Sequence, residues 1–140
     1  MIEIVQEGDA AFLAQAEARI FSDAWSESAV RSHLAGGFTK TLTARLDGRA
    51  VGYLLGSLIP PEGEVYRIAV LPEYRRLGVA EALLSAFLAM TPVCFLEVRL
   101  SNAPARALYE KHGFRLIDRR KRYYKDPPED ACIYKYEETP

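Results

Sequence analysis

The sequence predicts a single mixed α/β domain: a central, mostly antiparallel sheet of about seven strands flanked by about four helices. Three observations predict it. The periodicities read strand, two helices, three strands, helix, strand, helix, two strands, with no repeat or Ser/Gly linker between them. A length of 140 residues fits one domain. An apolar share of 49%, with 11% aromatic, is enough to bury a core.

Residues 2–5 alternate as a short strand. Across 9–21, Phe12, Leu13, Ala16 and Ile20 recur at helical spacing. Ser26 suits the N-cap of a second helix over 26–34, which Gly36 and Gly37 end. Residues 38–46 and 50–58 are strands joined through Asp47-Gly48, a hairpin signal. Pro60, Pro61, Glu62 and Gly63 turn the chain into a strand over 64–71. Residues 78–90 form a helix whose Ala80, Leu83, Leu84, Phe87 and Leu88 share the face that lies on a sheet. A strand over 93–100 follows, then a helix over 102–112 with Pro104 in its first turn and Gly113 as its stop. Strands over 114–122 and 131–136 close the chain around Asp126, Pro127 and Pro128.

Charge and composition exclude several classes. Eighteen Lys+Arg against 19 Asp+Glu lack the basic excess of a protein that coats nucleic acid, so no direct nucleic-acid partner is expected. No window approaches the ~18 apolar residues of a membrane span, and the first residues lack the features of a signal peptide. A soluble cytoplasmic protein, a monomer or weak dimer, is expected. Cys94 and Cys132 sit in apolar strands and read as buried, reduced thiols, and no Cys/His spacing points to a metal. His33 and His112 are isolated and read as packing or solvated residues. Arg119, Arg120, Lys121 and Arg122 read as a solvated edge strand, with a basic clamp for an acidic partner or ribosomal RNA as the alternative.

The stretch 66–80 carries the most information. A strand ending in Ile68, Ala69 and Val70 runs through a Pro72 turn into a helix that opens at Arg75, Arg76, Leu77, Gly78, Val79 and Ala80. A helix N-terminus presents unpaired N–H groups and partial positive charge, so it accepts phosphate. Gly78 allows close backbone approach, and the two arginines add formal charge beside a diphosphate. Taken alone, the pattern also fits an ordinary strand–turn–helix with solvated arginines.

This stretch resembles the pyrophosphate-binding motif of the GCN5-related N-acetyltransferases (the GNAT family), Arg/Gln-x-x-Gly-x-Gly/Ala. The order of elements matches that family over nearly the whole chain. The resemblance implies the GNAT acyl-CoA N-acyltransferase fold, acetyl-CoA as co-substrate and no metal. It further implies that the strand through Ile68, Ala69 and Val70 splays from its neighbour and holds the pantetheine arm. Residues Arg75 to Ala80, together with Glu81 in the first helical turn, would hold the diphosphate.

A second stretch reads Leu96-Glu97-Val98-Arg99, then Ser101-Asn102 and Ala105, then Leu108-Tyr109 and Gly113-Phe114. It resembles the subgroup that acetylates protein N-termini, of the bacterial RimI type acting on a ribosomal-protein alanine. Trp25-Ser26-Glu27, Arg122-Tyr123-Tyr124 and Glu129-Asp130-Ala131 match that pattern as well. By residue pattern alone, Glu97 is either an arginine-paired strand carboxylate or a base, and Tyr109 either a core tyrosine or an acid. The resemblance assigns Glu97 as general base, acting through a water, and Tyr109 as general acid. Asn102 is a helix cap that would also contact coenzyme A. Trp25, Tyr123 and Tyr124 would border the acceptor.

Two departures from the resembling pattern stand out. The connection through residues 90–93 is short, and the final strand, with Lys135 between Tyr134 and Tyr136, is more polar than usual. Acceptors compatible with the sequence are a protein N-terminus or a small amine, and a non-catalytic acyl-CoA-binding module is the alternative from another class. Glu97 and Tyr109 together weigh against that alternative, since a binding module needs neither.

Overall fold

The computed structural model describes residues 1–125 and 127–139, so Asp126 of the expected final turn lies outside the described residues. In chain order the elements are β1 (Ile2–Val5), α1 (Ala10–Ile20), α2 (Glu27–Ala35), β2 (Thr39–Leu46), β3 (Arg49–Ile59), β4 (Glu62–Val70), a 3-10 turn (Pro72–Tyr74), α3 (Val79–Leu88), β5 (Val93–Arg99), α4 (Ala103–Lys111), β6 (Arg115–Lys125) and β7 (Pro128–Glu137). The helix starts follow from side-chain caps. Asp9 accepts from Ala11 and Phe12, Ser26 from Ala29, and Asn102 from Ala105. Only α3 starts without one, at Gly78 in the left-handed conformation (φ +83°).

The strands form one sheet in the order β1-β2-β3-β4-β5-β7-β6. Each neighbouring pair is antiparallel except β4 and β5, which run parallel. β3 is buried on both faces, so it reads as a nearly continuous apolar run. Its Leu54 joins the larger core, where α3 and α4 supply Val79, Leu83, Leu84, Phe87 and Tyr109. Its Tyr53 and Leu55 face the other way, onto Leu13 and Ala16 of α1 and Val30 of α2. The sheet is therefore a middle layer, with α1 and α2 on one side and α3 and α4 on the other.

Several expected boundaries shift. β4 begins at Glu62 rather than 64, because Pro60 and Pro61 alone make the turn. α3 ends at Leu88, two residues before the expected 90. Thr91 then fastens the short connection, its buried hydroxyl lying 3.1 Å from the Pro61 carbonyl and 2.7 Å from that of Val93. The last hairpin is longer than expected: β6 runs to Lys125 instead of 122, and β7 begins at Pro128 instead of 131. Tyr123 and Tyr124 thus stand on a strand. No helix among the described residues is long and apolar enough to cross a membrane.

Candidate active site

The parallel pairing of β4 with β5 covers only residues 62–65 and 93–96. Beyond it, β4 stays on β3 as far as Val70, while β5 stays on β7 as far as Arg99. The two strands therefore part, and a wedge opens in the middle of the sheet. The break coincides with a bulge in β4: Leu55 pairs with Arg67 and Gly56 with Val65, leaving Tyr66 as the extra residue. Gly56 is required there, since a Cβ on it would collide with the Glu64 carbonyl. Past the break, the edge of β4 at Ile68, Ala69 and Val70 faces the wedge with no partner strand.

At the wide end of the wedge lies a cleft of about 300 Å³, lined by Val70, Tyr74, Arg75, Arg76, Gly78, Val79, Ala80 and Glu81. Arg75 Nε donates to the Val70 carbonyl at 3.2 Å, tying the loop to the end of β4. Arg76 (φ +66°) and Gly78 (φ +83°) both adopt left-handed backbone, and that curls the chain before the helix. The first intrahelical bond comes from Ala82 to the Gly78 carbonyl, so the N–H groups of Val79, Ala80 and Glu81 are free to meet an anion. The Glu81 side chain is committed elsewhere, to Lys111 of α4 and, at 3.8 Å, to His112 just after it. Leu77 is exposed beside the cleft. This donor set fits the diphosphate of an acyl-CoA.

Glu97 follows the last paired residue of β5, and Tyr109 packs on the opposite face of the sheet. Cys94, Leu96 and Val98 of β5 point into the α3/α4 core, so alternation turns Glu97 to the other face. Its carboxylate lies 3.6 Å from Arg120 Nη1, so the expected pairing with an arginine is present at the same residue. Its charge pushes up the Tyr123 phenol, which also hydrogen-bonds to it. Glu64 is pushed up too, first by burial and then by the charge of Glu97. Tyr109, on α4, is buried against Phe114 and Tyr134, with ring centroids 5.7 and 6.3 Å away. Burial pushes its phenol well above the ordinary tyrosine value. The same cause pushes the Cys94 thiol up to about 12, keeping it an inert core group, and Cys132 is buried and reduced as well.

On the Glu97 face, the loop between α1 and α2 is held down by a charge cluster. Glu17 is fully buried and accepts from Tyr53 Oη (2.7 Å), Arg67 Nε (3.2 Å) and the Trp25 backbone N–H (2.9 Å). Arg67 also donates to the Asp23 carbonyl at 2.7 Å, and its guanidinium lies 4.2 Å from the Phe21 ring centroid. Tyr66 and Arg67 are adjacent, yet both face this layer. Tyr66 meets Trp25 and His33 at 6.4 and 6.1 Å between centroids, an arrangement that the bulge permits and strict alternation would not. His33 is buried, 3.0 Å from the Lys40 carbonyl, and so is a packing residue. Arg67→Met is expected to destabilise the fold by about 3–5 kcal/mol, because it strands a buried carboxylate. Urea unfolding would read this, and a loss below ~1 kcal/mol would show the cluster to be expendable.

Across the wedge, Tyr123 and Tyr124 of β6 meet at 5.3 Å between centroids, and Arg99 lies over the Tyr124 ring at 4.2 Å. Tyr124 is pushed up to about 12, chiefly by burial and next by the charge of Glu97. The negative charge of Asp23, on the α1–α2 loop, also acts on it. Tyr123 and Tyr124 thus stand beside Glu97, while Trp25 packs against Tyr66 and His33 in the α1–α2 layer. Asn102 caps α4 through its side-chain oxygen, 3.2 Å from the Ala105 N–H. Among the described residues no three His, Cys, Asp or Glu side chains are grouped to hold a metal ion.

Sequence reasoning assigned no role to Glu17, Tyr53 or Arg67, and marked Asp130 only as part of a matching segment. A signal existed for Glu17: with Leu13 four residues before it, it falls on the apolar stripe of α1, where a charge needs a buried partner. Arg67 gave a matching signal, a charge inside the apolar strand β4.

Residues 10–114 match the acetyltransferase (GNAT) family. The chain is 37% identical to the N-alpha-acetyltransferase RimI of Mycobacterium tuberculosis, over 93% of this chain and 87% of that protein. It is 32% identical to the [ribosomal protein bS18]-alanine N-acetyltransferase of Escherichia coli K12, over 84% and 83% of the two chains. The crystal structure of the ribosomal-protein-S18-alanine N-acetyltransferase from Escherichia coli superposes with a TM-score of 0.92 at 30% identity, covering 100% of this chain and 96% of that one.

Proposed function

The chain belongs to the acetyltransferase (GNAT) family and is an acetyl-CoA-dependent N-acetyltransferase, and from that premise we propose that its acceptor is the N-terminal α-amine of a protein. The relatives named for bS18-alanine acetylation make a ribosomal-protein alanine the first acceptor to try, which would place the protein in the cytoplasm.

What supports this reading most is the wedge between β4 and β5, with a carboxylate on one face and a buried phenol on the other. An α-amine has a pKa of ~8 and is mostly protonated at neutral pH, so it needs a base before it can attack. Glu97, at the floor of the acceptor slot it would form with Trp25, Tyr123 and Tyr124, takes that proton through a water. The free N–H groups along β4 hold the pantetheine arm and polarise the acyl carbonyl, while Arg75 to Glu81 and Asn102 hold the remainder of acetyl-CoA. As the carbon–nitrogen bond forms and the carbon–sulfur bond breaks, Tyr109 gives its proton to the departing thiolate. Trp25, Tyr123 and Tyr124 would border the acceptor slot and receive the first residues of the peptide.

Incubation with acetyl-CoA and a peptide beginning with free alanine tests this. A control peptide carries a blocked α-amine and a free internal lysine. Thiol release with a mass gain on the first peptide alone is the expected result. Transfer to the lysine, or only to small amines, would overturn the acceptor assignment.

A further inference from the structure

The two slot tyrosines are neighbours in sequence, and a regular strand would send them to opposite faces. Their rings nevertheless touch, and the charge of Glu97 acts on both. The cause is an irregularity in the last hairpin. Arg120 pairs with Ala131 and Tyr124 with Glu129, so residues 121–123 stand opposite the single residue Asp130. Arg122, inside this bulge, adopts φ +51°, a conformation disfavoured for a side-chain-bearing residue.

Asp130 fits the bulge on every side. Its Oδ1 accepts the Arg122 backbone N–H at 2.9 Å, which the ladder no longer uses. Its Oδ2 accepts from Arg119 Nε at 2.8 Å, two residues before the bulge. Its own carbonyl accepts from the Leu100 N–H at 3.1 Å, at the end of β5, three residues beyond Glu97. One aspartate thus links the bulged strand to the strand that carries Glu97.

Resting on the reading that the Tyr123–Tyr124 slot receives the acceptor, we infer that Asp130 is a positioning residue for the acetyl acceptor: it holds the 121–123 bulge that turns both tyrosines toward Glu97. It touches no reacting atom and acts through the backbone of Arg122. Asparagine offers the same Oδ1 acceptor and retains the bulge, whereas alanine leaves the Arg122 N–H without a partner and the left-handed residue without support.

The test combines kinetics with a structural readout that does not depend on turnover. Asp130→Ala is expected to raise KM for the alanine-initiated peptide about tenfold, with KM for acetyl-CoA unchanged, since one lost hydrogen bond of this kind is worth about 1.4 kcal/mol. Asp130→Asn restores the peptide KM to within about threefold of the parent protein. In parallel, the nuclear Overhauser contact between the Tyr123 and Tyr124 rings is lost in Asp130→Ala and kept in Asp130→Asn. Should Asp130→Ala not fold, adding Arg122→Gly, which accepts φ > 0 at no steric cost, brings back both the fold and the ring contact. Ring contact retained in a folded Asp130→Ala overturns the inference, as does failure of Arg122→Gly to rescue. Loss of ring contact with the peptide KM unchanged also overturns it, and moves the acceptor away from these tyrosines. A parent protein that acetylates no peptide overturns the acceptor reading instead, and with it the positioning role, while the ring contact still reports whether Asp130 holds the bulge.

Discussion

Glu97→Gln should lower kcat/KM for an alanine-initiated peptide by about 10²–10⁴-fold at neutral pH, the range that a positioned general base contributes. The substitution keeps the size of the side chain and its capacity to accept from Tyr123, and removes only its ability to take a proton. KM for acetyl-CoA should not move, because the cleft at the start of α3 is built from other residues. Stability should hold as well. The contact between Glu97 and Arg120 is long and partly exposed, and exposed pairs are worth ~0–1 kcal/mol. The pH dependence separates a lost base from a disturbed slot. Without the base, only amine that is already neutral reacts, so the deficit should shrink as pH rises past the amine pKa of ~8. An undiminished rate with an unchanged pH profile would take the role from Glu97, and Glu64, which feels its charge, would be tested next.

Tyr109→Phe should reduce kcat by about 10²-fold, with both KM values close to those of the parent protein. An acid must hold its proton at working pH, and burial ensures this by pushing the phenol up from its ordinary value of ~10. The sign of the effect is definite. The phenol stays protonated through neutral and mildly alkaline pH, so kcat should show no decline from this group below pH ~10. The same raised value stabilises the fold fully below pH ~10, and that contribution is lost as pH climbs through the folded-state value. The phenylalanine variant should therefore be less sensitive to alkaline unfolding. At neutral pH its Tm should match or exceed that of the parent, since no hydrogen bond to the Tyr109 hydroxyl is present among the described residues. Full kcat in the variant would make Tyr109 a packing residue, and protonation of the thiolate would then fall to solvent.

Where local chemistry decides a feature, the residues declare it. Asp9, Ser26 and Asn102 announce helix starts because a short polar side chain satisfies the first N–H groups. The Asp47-Gly48 pair announces a hairpin because both residues tolerate positive φ, which both adopt. The lower half of the site is legible for the same reason. Arg75 to Gly78 form one contiguous loop that leads into Val79 and Ala80 at the start of α3, and the cleft there is a property of that loop and the helix it opens. Leu96 and Val98 flank Glu97, and alternation alone fixes the face on which the carboxylate appears.

The upper half was decided only by tertiary structure. The sequence marks Trp25, Tyr123 and Tyr124 as candidates but contains no local signal for the clamp of Glu17 on Arg67, 50 residues apart, or for the part of Asp130 in the last hairpin. Its expected strand ends at 122 and 131 fell short for the same reason. The two decisive irregularities are Tyr66 opposite nothing in β3 and residues 121–123 opposite Asp130 alone. A bulge is a mismatch between the residue counts of two paired strands, so it belongs to the pair and to neither strand. Periodicity along one strand can fix which residues are buried. Only the pairing fixes where the sheet parts, which way the neighbouring side chains turn, and hence where an acceptor can enter.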